Sequence, residues 1–113
     1  MTLTQLENFL YSHSRNEWLE SPGMKVYVRK GVHMCSKTRS VLRCVDIANI
    51  QIANHNTGVF TKWYPGVRQI AINFGADAVY FESVLNQHFA AKLGRMGMYK
   101  EGTLGYFDLL REV

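Results

Sequence analysis

The chain lacks most of what would mark a secreted, membrane-spanning or metal-built protein. It has two cysteines, Cys35 and Cys44, in 113 residues. Their separation fits neither a metal knuckle nor a disulfide framework, so a reducing compartment is expected. No His/Cys/Asp cluster has metal-ligand spacing. No apolar run approaches the roughly 20 residues that span a bilayer. The first residues show no charged segment followed by an apolar one. The expectation is a cytoplasmic protein with no membrane partner. Repeats, low-complexity tracts and linkers are also missing, which points to one domain over residues 1–113. Proline occurs only twice, at Pro22 in a Ser-Pro-Gly turn and at Pro65.

What is present suits a packed globule. The hydrophobic fraction is 47% and the aromatic fraction 12%, values of a core-forming rather than a disordered chain. The net charge is +4, with Lys25, Arg29, Lys30, Lys37, Arg39 and Arg43 crowded into the first half. That favours an anionic partner, although a solvated basic face is the commoner meaning of such a cluster. Aromatic residues are not interleaved with the basic ones as in a stacking platform, and no recognition helix is evident. A nucleic-acid-binding module therefore ranks last among the readings.

Periodicity divides the chain. Leu3, Leu6, Phe9 and Leu10 recur at helical spacing, predicting a helix over 2–13. Residues 24–30 alternate and read as a strand, 31–40 as a polar connection or hairpin, and 41–53 as a long strand. Apolar positions from Val59 to Phe74 predict a helix closed by Gly75. Pro65 inside it should kink the helix or split it in two, since an interior proline costs about 3 kcal/mol. Residues 78–82 form a short apolar strand of the buried type. Asn86 is a good N-cap for a helix ending at Gly97, with Leu85, Phe89, Leu93 and Met96 on its buried side. Residues 103–111 read as a last strand. The order α-β-β-α-β-α-β predicts an α/β (α+β) fold, a mixed sheet with helices on both faces.

The loop before the second helix carries the first chemical signal. His55-Asn56-Thr57-Gly58-Val59-Phe60 leads from a strand into a helix N-terminus, where free N–H groups and the macrodipole favour an anion. Gly58 allows another group close to the backbone. Alone this pattern is unspecific. Glu82 and Asn86 bracket the next strand-to-helix switch. Glu82 reads either as a proton acceptor or as a strand-end carboxylate paired with a base. Asp46 reads either as a site acid or as the ion-pair partner of Arg43 or Arg68. Asn49, polar in an apolar run, reads as a bulge residue or an outward one. His33 and His88 have no partner spacing and read as surface residues. Trp63 and Tyr64 read as core.

The stretch from Val41 to Gly102 resembles the GNAT superfamily of acyl-CoA-dependent N-acetyltransferases. Members carry a Q/R-x-x-G-x-G/A loop between a strand and a long helix. Here Gly58 matches the central glycine, His55 stands at the Gln/Arg position and Phe60 at the small one. The second half, FESVLNQHFAAKLGRMGMYKEG, carries the most specific likeness, with Asn86 and Gly97 eleven residues apart as in the family. The resemblance implies a V-shaped splay between two central parallel strands, with the pantetheine arm of acetyl-CoA in the gap. It implies cofactor contacts from Ile50 and Ile52 on the first strand, from His55, Asn56, Thr57, Gly58 and Val59 at the pyrophosphate, and from Asn86. It places the catalytic carboxylates Glu82 and Asp46 beside the reacting groups, as bases for the acceptor amine. The family's thiolate-protonating tyrosine falls at Leu93, with Tyr99 and Tyr106 out of register, and the N-terminal region is shorter than usual.

The function so implied is transfer of an acetyl group from acetyl-CoA to an amine acceptor by direct attack. The chain would then be a small divergent member of the kind common in phage and bacterial genomes; family members often dimerise, so the resemblance leaves a homodimer open, and the sequence does not decide it. The alternative is a catalytically inactive protein of the same fold that acts as a binding or inhibitory module.

Overall fold

The computed structural model describes residues 2–53 and 58–111. In chain order the elements are α1 (Thr2–Leu10), β1 (Asn16–Ser21), β2 (Met24–Cys35), β3 (Ser40–Ile52), α2 (Val59–Phe74), β4 (Ala78–Phe81), α3 (Gln87–Arg95), β5 (Tyr99–Glu101) and β6 (Gly105–Leu109). Among the described residues the strands make one six-stranded sheet in the order β1-β2-β3-β4-β6-β5. Only β3 and β4 run parallel. The fold is a mixed α+β one. No helix among the described residues is long and apolar enough to cross a membrane.

Alternation along the strands separates two faces. Val26, Val28, Val45, Ile47, Val79 and Phe81 point to one of them, and buried side chains of all three helices join them in a single core. The expectation of helices on both faces is thus corrected: α1, α2 and α3 share one side. The other face buries a smaller cluster of Cys35, Leu42, Cys44, Ala78 and Phe107, all from strands. It stays dry because the long β2–β3 hairpin curls over it. Ser36 in the hairpin turn donates its N–H to Glu101 Oε1 at 2.7 Å, and its hydroxyl meets that of Tyr99 at 2.7 Å. Tyr99 and Glu101 lie on β5, with β3, β4 and β6 between it and β2 in the sheet.

Several features differ from the sequence reading. The strand β1 and the short β5 were not expected. The segment 31–40 is mostly strand, because β2 continues to Cys35 and β3 starts at Ser40. The helix α2 is not in two pieces and runs through Pro65 as one element. Pro65 is solvent-exposed, so the backbone carbonyl it leaves without a helical partner can take water instead. In α3 only Leu93 is fully buried. Leu85 precedes the helix and is 76% exposed, and Met96 at its C-cap is 43% exposed. Trp63 and Tyr64 are core residues as expected. The Tyr64 hydroxyl donates to Asp108 Oδ2 at 2.6 Å and Arg68 pairs with the same oxygen at 3.0 Å, tying α2 down onto β6.

Candidate active site

The parallel β3–β4 pair is brief. Its register runs from Cys44–Ala78 to Ile47–Phe81, and the Glu82 N–H still reaches Ile47 O at 3.1 Å. Beyond that point β3 continues to Ile52 with only β2 beside it. The register slips where Tyr27 pairs with Asn49 but Val28 with Ile47. Ala48 is therefore the extra residue of a β-bulge, next to the expected Asn49. A bulge bends its strand and raises the local twist, just past the last β3–β4 pair, Ile47–Phe81.

Both connections that follow the pair end in helix N-termini. Gly58 caps α2 with φ 69° and no side-chain cap. That left-handed backbone is one glycine adopts without a Cβ penalty. Asn86 caps α3, its Oδ1 accepting from the Phe89 N–H at 3.0 Å, as the sequence predicts. Neither helix has an acidic residue in its first turn, so neither partial positive end is neutralised from within.

A cavity of about 620 Å³ lies between these ends. Ile50, Ile52, Gly58, Val59 and Asn86 all line it. The sequence-derived cofactor residues are thus brought together wherever they are described; His55, Asn56 and Thr57 lie outside the described residues. Phe60, His88, Phe89 and Lys92 complete the wall, and sequence reasoning gave none of the last three a ligand role. Lys92 Nζ stands 5.6 Å from the centre of the Phe60 ring. The lining is apolar with a basic edge and two helix N-termini. That combination suits an extended, partly apolar ligand ending in an anion.

The two sequence-derived acids sit on the opposite face. Asp46 and Glu82 line a second cavity of about 470 Å³ with Arg29, Lys30, Gly31, Val32, His33 and Tyr80. Asp46 is 2% exposed. Its partner is neither Arg43 nor Arg68 but His33, whose Nε2 lies 2.8 Å from Asp46 Oδ2. Burial pushes the Asp46 carboxyl above the ordinary range, and the His33 hydrogen bond pulls partly back. His33 was expected at the surface. It is half-buried instead, its ring 4.2 Å from that of Tyr80. Burial, with help from Asp46, Glu101 and Cys44, raises the Tyr80 phenol and keeps it neutral. Glu82 pairs with Arg29 Nη2, the paired alternative of the two readings above.

Gly31 makes room for this arrangement. A Cβ there would overlap Asp46 Oδ2 and come within 2.7 Å of Asp46 Cγ. Gly31→Ala should therefore displace the Asp46 carboxylate from His33. Overpacking of this kind costs about 1–3 kcal/mol, readable as a lower urea midpoint with an unchanged slope. A variant as stable as wild type would show that Asp46 can shift freely.

The described residues hold no cluster of three or more His, Cys, Asp or Glu able to bind a metal. No protein-family model matches the chain, and no curated protein does.

Proposed function

We propose that this protein is an N-acetyltransferase that takes the acetyl group of acetyl-CoA and gives it to an amine. One observation carries the reading. Five residues chosen from a loop glycine, a strand and a helix cap line a single cavity between two helix N-termini, at the open end of the parallel pair. In this reading β3 and β4 splay beyond Ile47 and Phe81, and the pantetheine arm lies along Ile50 and Ile52. The uncapped first turn of α2 faces the pyrophosphate, with Lys92 adding positive charge. Backbone N–H groups of β3 past Ile47, which have no β4 partner, meet the oxyanion of the attacked carbonyl. The acceptor amine comes from the face that carries Asp46 and Glu82.

A second reading keeps cofactor binding and drops catalysis. Leu93, where the family's thiolate-protonating tyrosine would fall, is fully buried in the core, and no tyrosine among the described residues lines the cavity. A thiol with an ordinary pKa of about 8.5 can still leave unprotonated, so this favours slow chemistry rather than none. Calorimetric titration with acetyl-CoA and with CoA separates the cases, followed by a thiol-release assay over a panel of amines and peptides. Binding with a Kd below about 1 mM and acceptor-dependent thiol release is the expected result. Binding without release to any acceptor establishes the binding module, and no binding removes both readings.

A further inference from the structure

We propose that His33, held by Asp46, is the group that removes the proton from the acceptor ammonium, with Asp46 acting as a positioning residue. The proposal rests on the acetyl-transfer reading above.

Three features make this a built dyad rather than a chance contact. The Nε2–Oδ2 distance of 2.8 Å is that of a charge-assisted hydrogen bond. The carboxylate is enclosed, and the strand carries a glycine at the one position where a side chain would collide with it. The imidazole is packed on Tyr80, whose hydroxyl end is accommodated in turn by Gly105. Asp46, at 2% exposure, cannot itself reach a substrate amine. Glu82 has one carboxylate oxygen engaged by Arg29. His33, with 29% of its side chain exposed, lines the cavity and can reach one.

With Nε2 donating to Asp46, the lone pair is on Nδ1, which has no hydrogen-bond partner among the described residues. The charged neighbours on its own strand are Arg29 and Lys30; Lys30 donates to Ser12 O at 2.6 Å. From β3 come Asp46 and Cys44, the latter a neutral thiol pushed up to about 12. From β4 and its end come the neutral Tyr80 and the Arg29-paired Glu82, and Glu101 on β5 acts on Tyr80.

The step balances as follows. The ammonium gives one proton to Nδ1, making an imidazolium against the Asp46 carboxylate. The freed nitrogen lone pair bonds to the thioester carbonyl carbon. The C–S bond then breaks, and the second amine proton leaves with the thiolate through water. The imidazolium returns its proton to solvent.

The test is His33→Gln, whose amide can still donate to Asp46 and so keeps any structural role. General-base removal costs about 10²–10⁴-fold, so kcat/KM at pH 7 should fall by at least ~100-fold while acetyl-CoA affinity stays within about twofold. Raising the pH should recover most of the loss, because the amine then deprotonates in solution. Nitrogen NMR of the wild-type ring gives a readout apart from activity: the Nε2-protonated tautomer is expected. Active wild type with an equally active His33→Gln variant overturns the assignment and leaves the acetyl-transfer reading standing. An Nδ1-protonated ring overturns it as well. Wild-type protein that binds no acetyl-CoA overturns the reading beneath it, and the assignment falls too.

Discussion

A Phe60→Ala protein is expected to lose about 3–5 kcal/mol of stability, the range for truncating a buried aromatic ring. Phe60 is 3% exposed and is the hub of the aromatic core. It stacks on Tyr64 at 5.3 Å and meets Phe89 edge-on at 5.0 Å, with Phe81 and Trp63 at 6.0 and 6.1 Å. Pairs of this geometry add about 0.5–1.5 kcal/mol each beyond burial. Against a typical domain stability of 5–15 kcal/mol, the loss leaves a marginal fold. Urea titration followed by Trp63 fluorescence would read it, and Phe60→Leu should retain much of what Phe60→Ala loses. A change below about 1 kcal/mol for the alanine variant would mean that the ring is not a core element. This placement also explains how a bulky residue fits where the family resemblance implies a small one. The ring turns into the core between Phe81 and Phe89 and contributes part of its surface to the cavity wall.

What the sequence revealed and what it hid divide along a physical line. Helical spacing, the Asn86 cap, the glycine stop at Gly75 and the mostly apolar run 78–82 are local signals, and each recovered its element. Ile50, Ile52, Gly58, Val59 and Asn86, which line the first cavity, were named through the family resemblance, and Gly58 and Asn86 carry its local signatures. The dyad was missed because its signal is not local. Gly31 reads as a break, so the strand was ended at Lys30. In the fold Gly31 is a strand residue, whose missing side chain makes room for a carboxylate that lies fifteen positions later in the chain. With β2 carried on to Cys35, the alternation Arg29-x-Gly31-x-His33 puts all three on the face of Asp46. That alternation was the available signal, and it depended on not reading the glycine as a turn. The one-sided helix packing was hidden for a similar reason. Cys35, Leu42 and Cys44 look like residues awaiting a helix, but the hairpin that carries them folds over its own sheet and closes on β5.

Gly58→Glu should abolish acetyl-CoA binding, while Gly58→Ala should leave most of it. Gly58 has φ 69°, and a Cβ placed there meets nothing within 4 Å. Both variants therefore fit sterically, and both carry the same backbone penalty of roughly 1–2 kcal/mol for a non-glycine residue in the left-handed region. They should melt at similar temperatures, below wild type. They differ in charge. In the acetyl-CoA reading the glutamate puts a carboxylate at the mouth of an uncapped helix N-terminus that faces the pyrophosphate. It would occupy the free N–H groups itself and repel the phosphates. A loss of at least ~100-fold in affinity for Gly58→Glu is expected, against less than about fivefold for Gly58→Ala, since 1.4 kcal/mol corresponds to tenfold. Calorimetric titration of both variants, with melting curves to confirm that each is folded, compares them directly. The effect should shrink for pantetheine analogues that lack the pyrophosphate, because the penalty is electrostatic and local to it. Equal affinity of the two folded variants for acetyl-CoA would take the anion away from α2 and leave Asn86 and the start of α3 as the end of the cavity that holds it.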